Sequence, residues 1–161
     1  MKIIVCGNEQ FYRELFKSFP QLDDRGKIIG SLFSVDEYNV YHLVNKEFIN
    51  VCLNPVTGLT NIFLIVMQKS LYDDAMSLQF SKFVKMLHPE CKVVFYMDEG
   101  IEKHDYFCHR IVNENLGFIA DSMDDLHMIL QSDFKTNQDR FVLKKMKKRQ
   151  LKKLIKEYEN S

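Results

Sequence analysis

The 161-residue sequence contains no apolar run that approaches the roughly 20 residues of a membrane-spanning helix. Its first residues, MKIIVCG, lack the long apolar segment and the small-residue cleavage site of a secretory signal. The four cysteines lie in or beside apolar segments without the spacing of a disulfide framework. We therefore expect an intracellular protein in a reducing compartment, with no membrane contact.

The sequence also lacks internal repeats and low-complexity linkers, and its 46% hydrophobic residues suffice for one core, so a single domain is expected. The net charge of zero hides an uneven distribution. Residues 1–134 contain 12 Lys and Arg against 19 Asp and Glu, whereas residues 135–161 contain 10 against 3. This pattern predicts an acidic domain over residues 1–134 and a basic helical tail over residues 135–161.

Apolar runs of strand length alternate with segments of helical periodicity along the acidic domain. Residues 61–67 (NIFLIVM) form a continuous apolar run that is typical of a central parallel strand. The other runs predict strands over residues 2–6, 91–97 and 117–120. Helices are expected after residue 8, over 73–87 and 103–116, and after an N-cap at Ser122. The alternation predicts an α/β three-layer sandwich with a mostly parallel sheet.

Residues 27–53 are open to two interpretations. Residues 27–34 have β character, and residues 38–44 and 48–53 are two further candidate strands. A turn near Asn45 and Lys46 predicts that the last two strands pair as an antiparallel β-hairpin. The alternative is a helix over residues 36–45, because Ser34 and Glu37 have the spacing of a capping box.

The segment after the first strand is where an α/β protein of this order binds phosphate. Residues 7–14 (GNEQFYRE) fall in the frame of G-x-x-x-x-G-K-[ST], in which backbone N–H groups and a lysine hold the phosphates. Gly7 matches, but Tyr12 replaces the second glycine and Arg13 replaces the lysine. Glu14 replaces the Ser or Thr and would place a carboxylate against the phosphates. We predict a degenerate loop with no nucleotide cofactor, no metal and no catalysis.

The order of elements resembles the Ras-like small GTPases, in which a phosphate loop, a β-hairpin and a D-x-x-G turn precede alternating strands and helices. The D-x-x-G position corresponds to residues 55–58 (PVTG), where proline replaces the aspartate. The N-K-x-D position corresponds to residues 97–100 (MDEG), and the S-A-K position to residues 122–124 (SMD). The resemblance covers about residues 1–133 and predicts a small-GTPase-like fold in which every nucleotide motif is broken.

Loss of all four motifs from an orderly scaffold resembles the pseudo-GTPases, which keep the fold as a protein-binding platform. Residues 61–78 and 91–99 are similar to a strand–helix–strand unit in a kinetochore member of that group. The resemblance implies a non-catalytic subunit of a stable complex, held by a helical-repeat protein in the nucleus. Without the resemblance, the expected location is the cytoplasm.

Two other constellations have simpler explanations. The span from Cys6 to Arg13 resembles the C-x-x-x-x-x-R loop of low-molecular-weight phosphatases, but it is one residue too long and contains two bulky aromatic residues. A second set has the sequence spacing of a zinc site, but a strand over residues 91–97 would separate its halves by about 20 Å. The members of that set are His88, Cys91, His104 and Cys108.

A receiver domain of the phosphorelay kind is the nearest rival fold. It requires an acidic pair after the first strand, an aspartate after the central strand and a lysine after the last strand. The corresponding residues 8–9, 67–68 and 120–121 do not supply this set, so we exclude phosphotransfer. A degenerate receiver-like regulatory domain stays as an alternative function.

Residues 140–158 have the pattern of a basic amphipathic helix. Its lysines offer a second class of function, nucleic-acid binding. No aromatic interleaving or recognised DNA-binding motif accompanies the lysines, so we favour contact with a protein partner. The residues predicted to bind this partner are Leu143, Met146, Lys147, Leu151, Leu154, Ile155 and Tyr158.

Overall fold

The computed structural model describes residues 2–17, 27–29, 37–44, 46–131 and 155–159, and it has helices on both faces of a six-stranded sheet. The strands are β1 (Lys2–Cys6), β2 (Lys27–Ile29), β3 (Glu37–Leu43), β4 (Ile62–Gln68), β5 (Lys92–Tyr96) and β6 (Phe118–Ala120). The helices are α1 (Glu9–Lys17), α2 (Glu47–Leu53), α3 (Asp74–Leu87), α4 (Asp105–Asn113) and α5 (Met123–Gln131). Residues 155–159 are also helical.

The strand order across the sheet is β2-β3-β1-β4-β5-β6. Five of these strands are parallel, and β2 pairs antiparallel with β3 at one edge. Ile4 of β1 and Ile65 of β4 are fully buried, as are their neighbours along both strands. Continuous burial is expected where helices cover both faces of a strand. The predicted α/β class with a mostly parallel sheet is confirmed.

Each face of the sheet has its own hydrophobic core. On one face, α2, α3 and α4 bury Phe48, Phe80 and Phe107 against the strands. The Phe48 and Phe80 rings meet edge to face with their centroids 4.8 Å apart, a favourable aromatic geometry. On the other face, α1 and α5 bury Leu15 and Leu126. The sheet therefore lies between two helical layers.

Two helices begin where the sequence predicts. The Asp73 side chain accepts the N–H of Met76 at 2.6 Å and caps α3. The Ser122 hydroxyl accepts the N–H of Asp125 at 3.1 Å at the start of α5. Both side chains satisfy backbone donors that the first turn of a helix leaves without a partner.

The prediction of a strand over residues 48–53 is wrong, because these residues belong to helix α2. Phe48 and Cys52, four residues apart, are both buried on the inner side of this helix. An apolar run of this length fits a strand or a buried helix, and periodicity alone does not separate them. The packing of Phe48 against Tyr72 and Phe80 favours the helix. A helix also supplies the crossover that β3 needs before the parallel strand β4.

The predicted hairpin of residues 38–44 with 48–53 is wrong for the same reason. The alternative helix over residues 36–45 is also wrong, since β3 spans Glu37–Leu43. The antiparallel partner of β3 is β2, with Lys27 opposite Asn39 and Ile29 opposite Glu37.

Two helical predictions have a different outcome. Helix α4 is shorter than predicted, because a separate 3-10 helix over Glu102–His104 precedes it. The predicted tail helix lies outside the described residues apart from 155–159, where Ile155 is 50% exposed and Tyr158 is 84% exposed. Leu143, Met146, Lys147, Leu151 and Leu154 lie outside the described residues, and their predicted role in partner binding stays a prediction.

Candidate functional site

The strand order places a crevice at the carboxyl ends of β1 and β4. The chain leaves β1 for β3 on one side, and β4 lies on the other side. In open α/β sheets this reversal of direction is where ligands bind. Gly7 and Asn8 follow β1 directly, Gln68 ends β4, and Asp98 follows β5. These residues form the candidate site.

Gly7 is needed because side chains of the protein already fill the space beside it. A Cβ atom at this position would lie 2.5 Å from Cδ1 of Phe11 and 2.9 Å from Oε1 of Gln68. Both distances are shorter than normal contacts permit. The one glycine that matches the phosphate-loop frame therefore accommodates Phe11 and Gln68.

The backbone donors of the loop are largely satisfied within the protein. Gly7 N–H bonds the carbonyl of Leu43 at 3.2 Å, and Asn8 N–H bonds Oε1 of Gln68 at 2.9 Å. The Asn8 side chain caps α1 by accepting the N–H of Phe11 at 2.8 Å. The backbone carbonyl of Asn8 accepts the N–H of Tyr12 at 3.1 Å. A phosphate-binding loop uses such N–H groups for its ligand, so this loop has few left to offer.

A chain of hydrogen bonds extends from Asn8 across the ends of β4 and β5. Gln68 accepts from Asn8 and donates its Nε2 to Oδ2 of Asp98 at 3.0 Å. Asp98 also accepts the N–H of Ser70 at 3.0 Å and the Ser70 hydroxyl. We call Asn8, Gln68, Ser70 and Asp98 the crevice network. Gln68 is buried and both ends of its amide have partners, so the side chain is held in one orientation.

Aromatic rings close the sides of the crevice. Phe11 is buried and stacks on Tyr96 with centroids 5.2 Å apart. Tyr12 stacks on His42 of β3 with centroids 4.4 Å apart and planes 8° from parallel. Nε2 of His42 lies 2.9 Å from the Gly7 carbonyl oxygen, which fixes the ring against the loop. Tyr12 therefore stands at the position of the motif's second glycine, and its half-buried ring is held in place by this stacking.

Arg13 and Glu14 lie on the exposed part of α1. Arg13 pairs with Glu9 one turn earlier, and both side chains are at least 70% exposed. Glu14 accepts a long hydrogen bond from Gln10 at 3.4 Å. The pKa of Tyr96 is raised, first by burial and then by the nearby carboxylates of Asp98, Glu14 and Asp121. The crevice is therefore bordered by negative charge, which disfavours a phosphate.

The other nucleotide-motif positions have structural roles. Residues 55–58 follow α2 and not a strand, so their assignment to the D-x-x-G position is wrong. Their glycine closes a turn, with the N–H of Gly58 on the carbonyl of Asn54 at 2.9 Å. Residues 97–100 do follow β5, but the carboxylate of Asp98 belongs to the crevice network. Ser122 caps α5.

The cysteine and zinc alternatives gain no support from the geometry. Cys6 is fully buried, and burial raises the pKa of its thiol well above the usual value, the opposite of a reactive thiolate. His88 contacts the carbonyl of Cys52 at 2.7 Å, and His104 contacts Asp74 at 2.9 Å. Within the described ranges, no three His, Cys, Asp or Glu side chains form a group that could hold a metal ion.

The sequence interpretation missed Gln68, Ser70 and His42 as members of the site. One signal was available for Gln68, because it is the first polar residue after six consecutive apolar residues of β4. A polar residue directly after a buried strand lies at the carboxyl edge of the sheet, where sites form. His42 gave no comparable signal, since it lies within the alternating pattern of β3.

None of the helices in the described part of the chain is long and apolar enough to cross a membrane. Comparisons of the chain with protein-family models, with curated proteins and with solved structures found no match.

Proposed function

We propose that this protein is a non-catalytic binding module of the pseudo-GTPase type, which acts as a protein-interaction subunit of a larger complex. The observation that carries the proposal is the bond from Asn8 N–H to Gln68 Oε1. It places an acceptor of the protein itself where a phosphate-binding loop receives a phosphate oxygen. The stacked aromatic rings and the surrounding carboxylates add steric and electrostatic obstruction.

The order of elements supports the GTPase-like interpretation over the receiver-like one. The five parallel strands, numbered among themselves, have the order 2-1-3-4-5, which several α/β families share. The antiparallel strand β2 between α1 and β3 is an addition to that order. It agrees with the hairpin that precedes the central strand in the small GTPases. Within this group, the likeness of residues 61–78 and 91–99 to centromere protein M supports a kinetochore subunit bound by a helical-repeat partner.

Calorimetry tests the closed crevice directly. The full-length protein is titrated with GTP and with ATP, each in the presence of magnesium, and no binding heat is expected for either. Tight binding of one nucleotide would refute the proposal. Affinity purification of the full-length protein from its native cell, with quantification of the recovered proteins, then tests the subunit role. We expect at least one protein in stoichiometric amount.

The positive charge of the tail, residues 135–161, favours a second candidate function, that of an accessory protein that binds nucleic acid. Residues 135–161 contain 10 Lys and Arg against 3 Asp and Glu. Such a tail would bind duplexes with an affinity that falls steeply as salt rises, because bound phosphates release counterions. The candidate requires that deletion of residues 140–161 abolishes duplex binding. Binding that survives the deletion, or that ignores salt, rules this candidate out.

A further inference from the structure

Ser70 is the member of the crevice network that lies in the single 3-10 turn Lys69–Leu71 after β4. Its side chain is partly exposed, and that of Leu71 is 48% exposed. The side chains on either side of this pair, Lys69 and Tyr72, are buried and anchor the turn. Lys69 Nζ donates to the carbonyl of Tyr72 at 2.8 Å and to Asp74 at 2.6 Å. The turn therefore presents a hydroxyl at the surface while its ends are held inside.

A phosphoryl group on this hydroxyl would act directly on Asp98. The Ser70 hydroxyl donates to Asp98, so its esterification removes the donor. The new group would carry a charge of about −1.5 to −2 beside a carboxylate. Lys69 does not offset that charge, because its ammonium is turned into the core. Repulsion at Asp98 is then expected to free Gln68, and with it the N–H of Asn8.

The residues after Ser70 have the charge pattern that a kinase with a basic peptide groove selects. Asp73 and Asp74 stand at the third and fourth positions after the serine. We propose that Ser70 is a phosphorylation site and that its modification opens the crevice network. This inference rests on the proposed function, because it concerns the same closed crevice and makes the module a switchable one.

The reaction balances with ATP as the phosphoryl donor. The Ser70 Oγ attacks the γ-phosphorus, the bond from that phosphorus to the oxygen bridging the β-phosphate breaks, and ADP leaves. The hydroxyl proton passes to the catalytic base of the kinase. One phosphate ester forms, and no oxidant or reductant is required.

The test uses the full-length protein, magnesium-ATP and a purified acidophilic serine kinase of the casein-kinase type. Mass spectrometry locates the phosphate, and hydrogen exchange reports on the amide of Asn8. The peptide that contains position 70 should carry a phosphate in the wild type and in Ser122→Ala. The same peptide should carry none in Ser70→Ala. Ser122 is the matched control because aspartates also follow it, although its hydroxyl caps a helix. Phosphorylation at Ser70 should speed exchange at Asn8 about tenfold, the effect of losing one hydrogen bond.

Two outcomes overturn the inference. In the first, the kinase does not phosphorylate Ser70. In the second, Ser70 is phosphorylated but the rate of hydrogen exchange at the amide of Asn8 does not change. Ser70→Glu is a second variant that places a negative charge at the site without a kinase, and it should also speed exchange at Asn8. Nucleotide calorimetry on the unmodified protein separates the two proposals, because nucleotide binding there would refute the closed crevice and leave the phosphorylation result standing.

Discussion

The side-chain oxygen of Gln68 accepts the backbone N–H of Asn8 at 2.9 Å and joins the ends of two neighbouring parallel strands. The same amide donates to Asp98 at 3.0 Å, so three strand ends meet at one side chain. In open α/β sheets, ligands bind at this location. In this protein a residue of the sheet itself, Gln68, occupies it.

Replacement of Gln68 by alanine should destabilise the domain. The substitution leaves the N–H of Asn8 and one acceptor site of Asp98 without their partner, which we expect to lower the free energy of unfolding by about 1–3 kcal/mol. Urea denaturation measures the change. Gln79→Ala on the exposed side of α3 is the matched control and should change stability by less than about 0.5 kcal/mol. Equal effects of the two substitutions would contradict a structural role for the crevice network.

Restoring the phosphate-loop residues should not restore nucleotide binding. The triple variant Tyr12→Gly, Arg13→Lys, Glu14→Ser completes the motif in sequence, but Gln68 still holds the N–H of Asn8. We expect no heat on titration with magnesium-GTP. We also expect the free energy of unfolding to fall by about 1 kcal/mol, because the variant places a glycine within α1. Adding Gln68→Ala to the triple variant tests whether that side chain is the obstruction. Tight binding by the triple variant itself would show that the closed crevice yields to its ligand.

Phe48→Ala should be among the most damaging core substitutions. The ring is fully buried and contacts Tyr72 and Phe80 at centroid distances of 4.9 and 4.8 Å. Removal of a buried phenyl group costs about 3–5 kcal/mol. Phe83→Ala serves as the control, because Phe83 is 42% exposed on α3 and should cost about 1 kcal/mol or less. Thermal and urea unfolding of both variants provide the comparison, and similar losses of stability would argue against the packing of Phe48 between α2 and α3.

Stability should fall at alkaline pH because several thiols are buried. Burial raises the pKa of Cys52 to about 12, and burial is also the main cause of a pKa of about 12 for Cys91 and Cys108. The thiol of an unfolded cysteine has a pKa of about 8.5. The contribution of these three thiols to the free energy of unfolding is therefore fully present below about pH 8.5. It is lost as the pH rises towards 12, because only the unfolded chain releases the thiol protons in this range.

Urea unfolding at a series of pH values from neutral to alkaline measures this loss. Cys52→Ala should show a shallower fall of the unfolding free energy with pH than the wild type. Gln79→Ala on the exposed side of α3 removes no ionisable group and should keep the wild-type slope. An unchanged slope in Cys52→Ala would show that this thiol is not the source of the pH dependence.

The sequence predicted the elements that are apolar along their whole length. The predictions for β1, β4 and β5 agree with the structure to within one residue at each end, because a strand covered on both faces must be apolar throughout. Helix α2 was predicted as a strand because seven residues are too few for periodicity to separate the two structures. The packing of Phe48 among side chains from distant segments resolved this ambiguity.

For the candidate site, the sequence predicted only which residues of a phosphate loop are missing. Tyr12, Arg13 and Glu14 indicate that the loop lacks phosphate-binding residues, and that follows from residue chemistry alone. The contact of Tyr12 did not follow, since its ring stacks on His42 of the distant strand β3. Chemistry at a position can exclude a ligand, but the identity of the neighbour depends on which strands lie side by side.

The sequence by itself determined that a mostly parallel sheet forms and that its first turn lacks the residues of a phosphate loop. Both conclusions depend on local composition, which the linear chain contains in full. The tertiary structure alone decided what fills the crevice, because Gln68 and Asn8 are 60 residues apart and meet only when β4 aligns beside β1. The register of those two strands places the amide of Gln68 at the N–H of Asn8, and no local pattern encodes that register.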